Sequence, residues 1–276
     1  MKKLLFDSHA HINYERYSGR ERAELMERVE ASPVAYVLDV AFDLKSSRRA
    51  ISDANAKPWC YAAVGVHPHD AKTLTEDSFK ALNELIKAPK VIALGEIGLD
   101  YYRDLSPRDV QRGAFRKQLR LALDTGMPII IHDRDSGGET LKILEEEGAF
   151  SDERRAAFPP NPETGTPDAR VLLHCFSGSA EQAIEYIRLG CTISIAGPVT
   201  YKNNKKTVRV AEDIPLAHML IETDSPYLTP EPFRGKPNEP AYVEYVARKI
   251  AELRGLSYEE IANATLENAK RFFGIQ

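Results

Sequence analysis

The segment Asp7-Ser8-His9-Ala10-His11 carries two imidazoles two positions apart, directly after the apolar run Leu4–Phe6. Side chains alternate faces on an extended strand, so His9 and His11 project to one side and can share an ion. Four more groups stand at the ends of apolar runs in the same way. Glu96 ends Val91–Gly95, His132 ends Ile129–Ile131, His174 ends Val171–Leu173, and Asp224 closes the stretch that begins at Met219. A carboxylate in such a place has no cheap way to stay buried unless it is paired or binds a cation. Four imidazoles and two carboxylates exceed what one catalytic zinc uses. They suit two divalent ions bridged by a carboxylate, with a hydroxide activated between them. The order of these groups predicts Glu96 as the bridge, with His9, His11 and Asp224 on one ion and His132 and His174 on the other. Asp224 is the candidate general base, or the group that orients the hydroxide. Asp7 shares a strand face with His9, as Glu222 does with Asp224, and both are placed to orient ligands from behind.

The elements that must position these groups follow a strand-then-helix alternation. Eight runs rich in Val, Ile and Leu begin near Leu4–Phe6, Ala35–Val40, Cys60–Gly65, Val91–Gly95, Ile129–Ile131, Val171–Leu173, Thr192–Ala196 and Met219–Ile221. Helical patterns lie over Gly19–Glu30, Leu44–Asn55, Glu76–Lys87, Pro107–Thr125, Gly138–Glu147, Ala180–Leu189 and Pro240–Arg254, with a weaker one around Lys205–Glu212. No Gly-x-Gly-x-x-Gly follows the first strand, which disfavours an open doubly wound sheet and favours an α/β (β/α)₈ TIM barrel. In such barrels catalytic residues lie at the C-terminal strand ends, where all six groups are. Ser257, with Glu260 three places on, and Thr265 are read as N-caps of two short closing helices. Phe150–Arg170 is proline-rich and aperiodic and is expected to be a surface loop. A barrel of this length forms one domain, residues 1–276.

The 276 residues are 43% hydrophobic with a net charge of −4, which excludes an acidic disordered chain and an overall basic nucleic-acid coat. No apolar run approaches membrane-spanning length and the first one stops at Asp7, so a cytoplasmic protein without a membrane partner is expected. Cys60, Cys175 and Cys191 form no Cys-x-x-Cys pair and are read as reduced core residues. Attraction for a phosphate must be local. The candidates are His67 and His69 after the third strand, Arg134 after the fifth, Lys202, Lys205 and Lys206 after the seventh, and Arg234 and Lys236 after the eighth. Tyr101, Tyr102, Tyr201 and Phe233 are read as stacking groups at the mouth.

Six segments together carry a resemblance: Ser8-His9-Ala10-His11, Gly65-Val66-His67-Pro68-His69, Gly95-Glu96-Ile97-Gly98-Leu99-Asp100, Ile131-His132-Asp133-Arg134, His174-Cys175-Phe176-Ser177-Gly178 and Glu222-Thr223-Asp224-Ser225-Pro226. In this order, with Arg234-Gly235-Lys236 after them, the chain resembles the TatD-like metal-dependent deoxyribonucleases of the amidohydrolase superfamily. The resemblance implies two divalent metal ions and hydrolysis of DNA phosphodiesters as a 3′-to-5′ exonuclease. The expected partner is DNA that is single-stranded or has a free 3′ end, met by a monomer. The donor set favours zinc (Zn2+) or manganese (Mn2+), whereas the resemblance is to enzymes described as magnesium (Mg2+) dependent. Two departures bear on substrate preference: Phe150–Arg170 looks like an insertion, and Phe233 stands where a histidine often precedes Arg-Gly-Lys. The alternatives are a small-molecule amide, lactone or phosphoester hydrolase of the same superfamily and a non-catalytic binding protein. The first is disfavoured because its two-metal members commonly bridge with a carboxylated lysine on the fourth strand, and Lys90 precedes that strand here.

Overall fold

The computed structural model describes residues 2–275. Eight strands form one parallel sheet in sequence order: β1 Leu5–Ala10, β2 Val34–Val40, β3 Cys60–Val64, β4 Val91–Asp100, β5 Ile129–Arg134, β6 Val171–Leu173, β7 Cys191–Ile195 and β8 Met219–Ile221. The sheet curls until β1 meets the chain just past β8. The His11 N–H donates to Ser225 O at 2.8 Å and the Asp224 N–H to His9 O at 2.9 Å. Between the strands run α1 Gly19–Ala31, α2 Leu44–Ala56, α3 Glu76–Leu85, α4 Arg108–Asp124, α5 Glu139–Glu146, α6 Asp152–Ala156, α7 Ala180–Arg188 and α8 Lys205–Asp213, followed by α9 Val243–Arg254 and α10 Tyr258–Phe273. The (β/α)₈ barrel expected from the strand-helix alternation is what forms. No described helix is long and apolar enough to cross a membrane.

Two apolar layers hold it. The larger lies between strands and helices, and a smaller one fills the barrel interior with Phe6, Leu38, Val40, Ala63, Ala93, Ile130, Leu172 and Leu220. Phe272 and Phe273 of α10 join the interior group, with Phe273 stacked on Phe6 at 5.5 Å, so α10 closes the N-terminal end of the barrel. Phe272→Ala is expected to destabilise the fold by about 3–5 kcal/mol, from lost transfer energy and the cavity left behind. A guanidinium midpoint unchanged from the parent would refute that packing role.

Two terminal segments differ from expectation. Ser257 caps α10 reciprocally with Glu260, but Thr265 starts no second helix. Its hydroxyl donates to Ile261 O at 2.8 Å inside one continuous helix, because a backbone carbonyl one turn back satisfies it without a break. The Phe150–Arg170 segment is more than a surface loop. It contains α6 and buries Arg154, Asn161 and Arg170, whose side chains donate to Ala169 O, Ala217 O and Phe272 O respectively. It precedes β6 rather than following a strand, so it packs at the end of the barrel away from the strand C-termini. It therefore does not shape the mouth.

Local irregularities decide which side chains reach the interior. Phe6 points inward, while Ala10 and Ile12 pack outward, so the inward parity of β1 changes between them. The ladder to β2 is irregular over Asp7–Ala10. On β4, Ala93 is inside and Leu94, Ile97 and Leu99 are outside, with the ladder to β5 irregular between Leu94 and Ile97. Strict alternation from Phe6 and Ala93 would turn His9, His11 and Glu96 toward the helices. The irregularities turn them into the barrel mouth.

Candidate metal centre

The six residues expected at the strand ends converge. Glu96 lies at their centre, and its two oxygens face different partners. Oε1 is 3.7 Å from His9 Nε2 and 3.5 Å from His11 Nε2. Oε2 is 2.8 Å from His174 Nε2 and 3.1 Å from His132 Nδ1. Asp224 Oδ1 stands 3.4 Å from His11 Nε2 and 3.9 Å from His9 Nε2. His174 also lies within reach of His9 and Asp224, its ring stacked on that of His9 at 4.0 Å, so the two expected groups of ligands touch.

The far nitrogens of two of these rings are hydrogen-bonded and that of a third faces a carboxylate, which fixes which nitrogen faces the centre. His11 Nδ1 lies 2.7 Å from Val40 O. His174 Nδ1 lies 3.4 Å from Glu222, at ion-pair distance and without a hydrogen bond. His132 Nε2 lies 3.2 Å from Asp100, which also meets His69 Nε2 at 2.7 Å. Asp7 differs from expectation. It meets Thr223 rather than a ligand ring, accepting from the Thr223 N–H at 2.8 Å and the Thr223 hydroxyl at 2.6 Å, and so ties β1 to the chain that presents Asp224.

His9 is fully buried, and neither ring nitrogen has a hydrogen-bond partner. A buried imidazole left without partners is costly, and a cation at Nε2 would satisfy it. Borderline nitrogen donors around shared carboxylates are also the donor set that divalent transition metals accept. The residues therefore fit such ions.

Electrostatics lead the same way. Burial opposes ionisation of Glu96, yet His67, His174, His9 and His132 together hold its carboxyl well below the usual range. Burial likewise works against Asp224, and the His11 hydrogen bond with the charges of His9 and His174 lowers it. Burial disfavours charge on His11, but the Asp224 hydrogen bond and Glu96 outweigh it and push the imidazole up to about 9. Burial pushes His9 and His67 below the ordinary imidazole value. The cluster is thus an anionic centre whose charge is offset by protons that cations can replace.

Asp100 is the site residue that sequence reasoning left without a role. A signal was present: Glu96, Gly98 and Asp100 share one face of β4 by period-two alternation. Asp100→Asn should loosen the hold on His132 and weaken metal binding on the order of 10- to 100-fold, measurable by isothermal titration calorimetry. An unchanged affinity would contradict this supporting role.

Around the cluster opens a cleft of about 730 Å3. Of the residues expected to meet substrate, His67, His69 and Arg134 line it. Lys202, Lys205, Lys206, Arg234 and Lys236 do not: Arg234 lies over Tyr201 at 4.2 Å, and Lys236 sits 5.7 Å from the Phe233 ring. None of Tyr101, Tyr102, Tyr201 and Phe233 lines the cleft either, and Phe233 is stacked on Tyr242 at 4.6 Å. The rings that do line it include Tyr14, Phe42 and Tyr227. Cys175 also lines it, partly exposed, unlike the buried Cys60 and Cys191.

Comparison with known proteins places this geometry in a lineage. The family model described as TatD related DNase matches residues 6–274. A metal-dependent hydrolase named YabD from Bacillus subtilis is 45% identical over 272 residues, covering 99% of this chain and 100% of that protein. A protein named 3′-5′ ssDNA/RNA exonuclease TatD from Citrobacter rodentium is 34% identical over 261 residues, covering 93% of each. The crystal structure of YJJV, a TatD homologue from Escherichia coli, superposes with a TM-score of 0.86 at 30% identity, and the match covers 100% of both chains. The chain belongs to the TatD-related DNase family and is a metal-dependent hydrolase acting on ester bonds.

Proposed function

We propose that this hydrolase is a 3′-to-5′ exonuclease on single-stranded nucleic acid that works with two divalent ions. The observation that carries the reading is the division of Glu96, with one oxygen toward His9 and His11 and the other toward His132 and His174. His9, His11, Asp224 and Glu96 would hold one ion, and Glu96, His132 and His174 the other. Ions so held lower the pKa of water and neutralise charge on phosphoryl oxygens. The name of the Citrobacter relative supports nucleic acid as the substrate.

Asp224 keeps an ionised carboxylate at the centre and is placed to take the proton of the attacking water. His67 has a different role from the ligands. Its Nδ1 accepts the His69 N–H at 3.0 Å, which leaves the proton of the neutral ring on Nε2, aimed at the cluster 3.3 Å from His132 Nδ1. It therefore offers a fixed N–H to a non-bridging phosphoryl oxygen, the type of donor that stabilises charge growing in the transition state. His67→Ala should lower kcat/KM on the order of 10²-fold with metal content unchanged, as read by turnover and elemental analysis together. Loss of an ion in that variant would make His67 a ligand instead. Arg134, on the cleft wall, is placed to meet a phosphate.

The reading is tested by a time course on end-labelled single- and double-stranded DNA with Mg2+, Mn2+ or Zn2+, against a His9→Ala control. The expected result is stepwise shortening from the 3′ end, abolished by chelation and by the substitution. Turnover of a lactone or cyclic amide without any attack on DNA would overturn it in favour of a small-molecule hydrolase.

A further inference from the structure

Exposed large apolar side chains are concentrated at the cleft. Tyr102, Leu105, Tyr227 and Leu256 are the ones so exposed among the described residues. Leu105 and Tyr227 line the cleft, and Tyr102 carries the Arg134 guanidinium 4.1 Å over its ring. A soluble surface has no reason to gather such groups around one opening unless they meet a ligand.

The two flanks of the cleft are chemically different. Phe42 and Tyr227 flank His11, with ring centroids at 6.0 Å and 6.2 Å, and Tyr14 packs against both, 6.0 Å from Phe42 and 6.3 Å from Tyr227. These residues follow β1, β2 and β8. Arg103 and Arg134, the only lysine or arginine side chains that line the cleft among the described residues, come from the ends of β4 and β5. In an eight-stranded barrel with sequential order, β1 and β5 stand on opposite sides. An aromatic wall and a wall that holds the two arginines of the cleft, beside Asp70, Asp100 and Asp133, thus face each other across Glu96.

The backbone that carries the aromatic wall is held in place by the rest of the site. The Tyr14 N–H donates to His11 O at 3.2 Å, the Tyr227 N–H to Asp224 O at 2.9 Å, and the His67 N–H to Phe42 O at 2.9 Å. Each aromatic residue is therefore tied through its backbone to a residue of the cluster, which reduces the ordering cost of stacking on it.

We infer that Tyr14, Phe42 and Tyr227 form a subsite that holds the terminal nucleobase by stacking, with the remaining strand leaving over Arg103 and Arg134. The assignment of sides follows from charge. A strand end contributes one nucleoside beyond the bond to be cut, whereas the remainder is a polyanion that must lie against the cations. Stacking accepts any base, since every base has a π-face, so the subsite reads the presence of a base and not its identity. This inference rests on the exonuclease reading above.

The test uses metal-loaded enzyme and two single-stranded oligonucleotides of the same sequence, one ending in a 3′ thymidine and the other in a 3′ abasic tetrahydrofuran nucleotide. The wild-type protein should release the thymidine nucleotide about 10- to 100-fold faster at subsaturating substrate. Tyr227→Leu should collapse that ratio toward one. Arg134→Gln should instead preserve the ratio and reduce the slope of log affinity against log salt by about 0.7. A wild-type ratio near one, or a ratio that survives Tyr227→Leu, overturns the stacking subsite while leaving the nuclease reading intact. If neither oligonucleotide is cut, the exonuclease reading fails and the subsite with it.

Discussion

Glu96→Gln should remove both ions together and lower turnover on DNA by at least on the order of 10³-fold, since metal assistance is worth several kcal/mol of transition-state stabilisation. The substitution keeps the shape of the side chain and removes the charge on which the two sets of imidazoles converge. A glutamine amide offers one acceptor oxygen, and its NH₂ would point at imidazole nitrogens that must stay free. Because Oε1 serves His9 and His11 while Oε2 serves His132 and His174, neither half of the cluster survives the change on its own. Elemental analysis of the purified variant checks the metal count, and thermal melting in chelator checks that the barrel is still folded. A folded variant retaining a full complement of metal would refute the bridging role. So would one that loses only half.

Asp224→Asn should act differently. Its carboxylate is held ionised by His11, His9 and His174 against the effect of burial, so it can accept a proton as well as bind a cation. A positioned proton acceptor contributes on the order of 10²- to 10⁴-fold, and the loss should fall on kcat with KM little changed. Steady-state kinetics on a short single-stranded DNA separates the outcomes. A raised KM with kcat preserved would mean that Asp224 binds substrate and takes no part in proton transfer.

The barrel was legible because eight Val, Ile and Leu runs alternate with amphipathic stretches, and burial imposes that periodicity on the sequence itself. The convergence of His9, His11, Glu96, His132, His174 and Asp224 was legible for a related reason. Each polar group interrupts or ends a run whose other members are apolar. What alternation alone could not give was their inward direction. On β1 and β4 that depends on ladder irregularities that reverse the parity set by Phe6 and Ala93. Thr265 was misread as a cap because a threonine inside a helix and one at its start look alike until its hydroxyl is seen bonding back to Ile261. The stacking residues were misplaced for a different reason. Tyr101 and Tyr102 follow β4, Tyr201 follows β7 and Phe233 follows β8, and a loop's course is set by contacts that span the chain, such as Phe233 on Tyr242. Tyr14, Phe42 and Tyr227 line the cleft within three residues of a strand end or ligand, but Tyr101 and Tyr102 lie as close to the end of β4 and do not line it, so spacing along the chain does not tell the two sets apart.

The placement of the Phe150–Arg170 segment has a practical consequence. Because it is anchored by Asn161 and Arg170 at the end sealed by Phe272, an exposed position within it such as Glu163 is a handle far from the chemistry. A fluorophore or a tether to a bead fixed there would leave the opening unobstructed, so that one molecule could be watched during turnover.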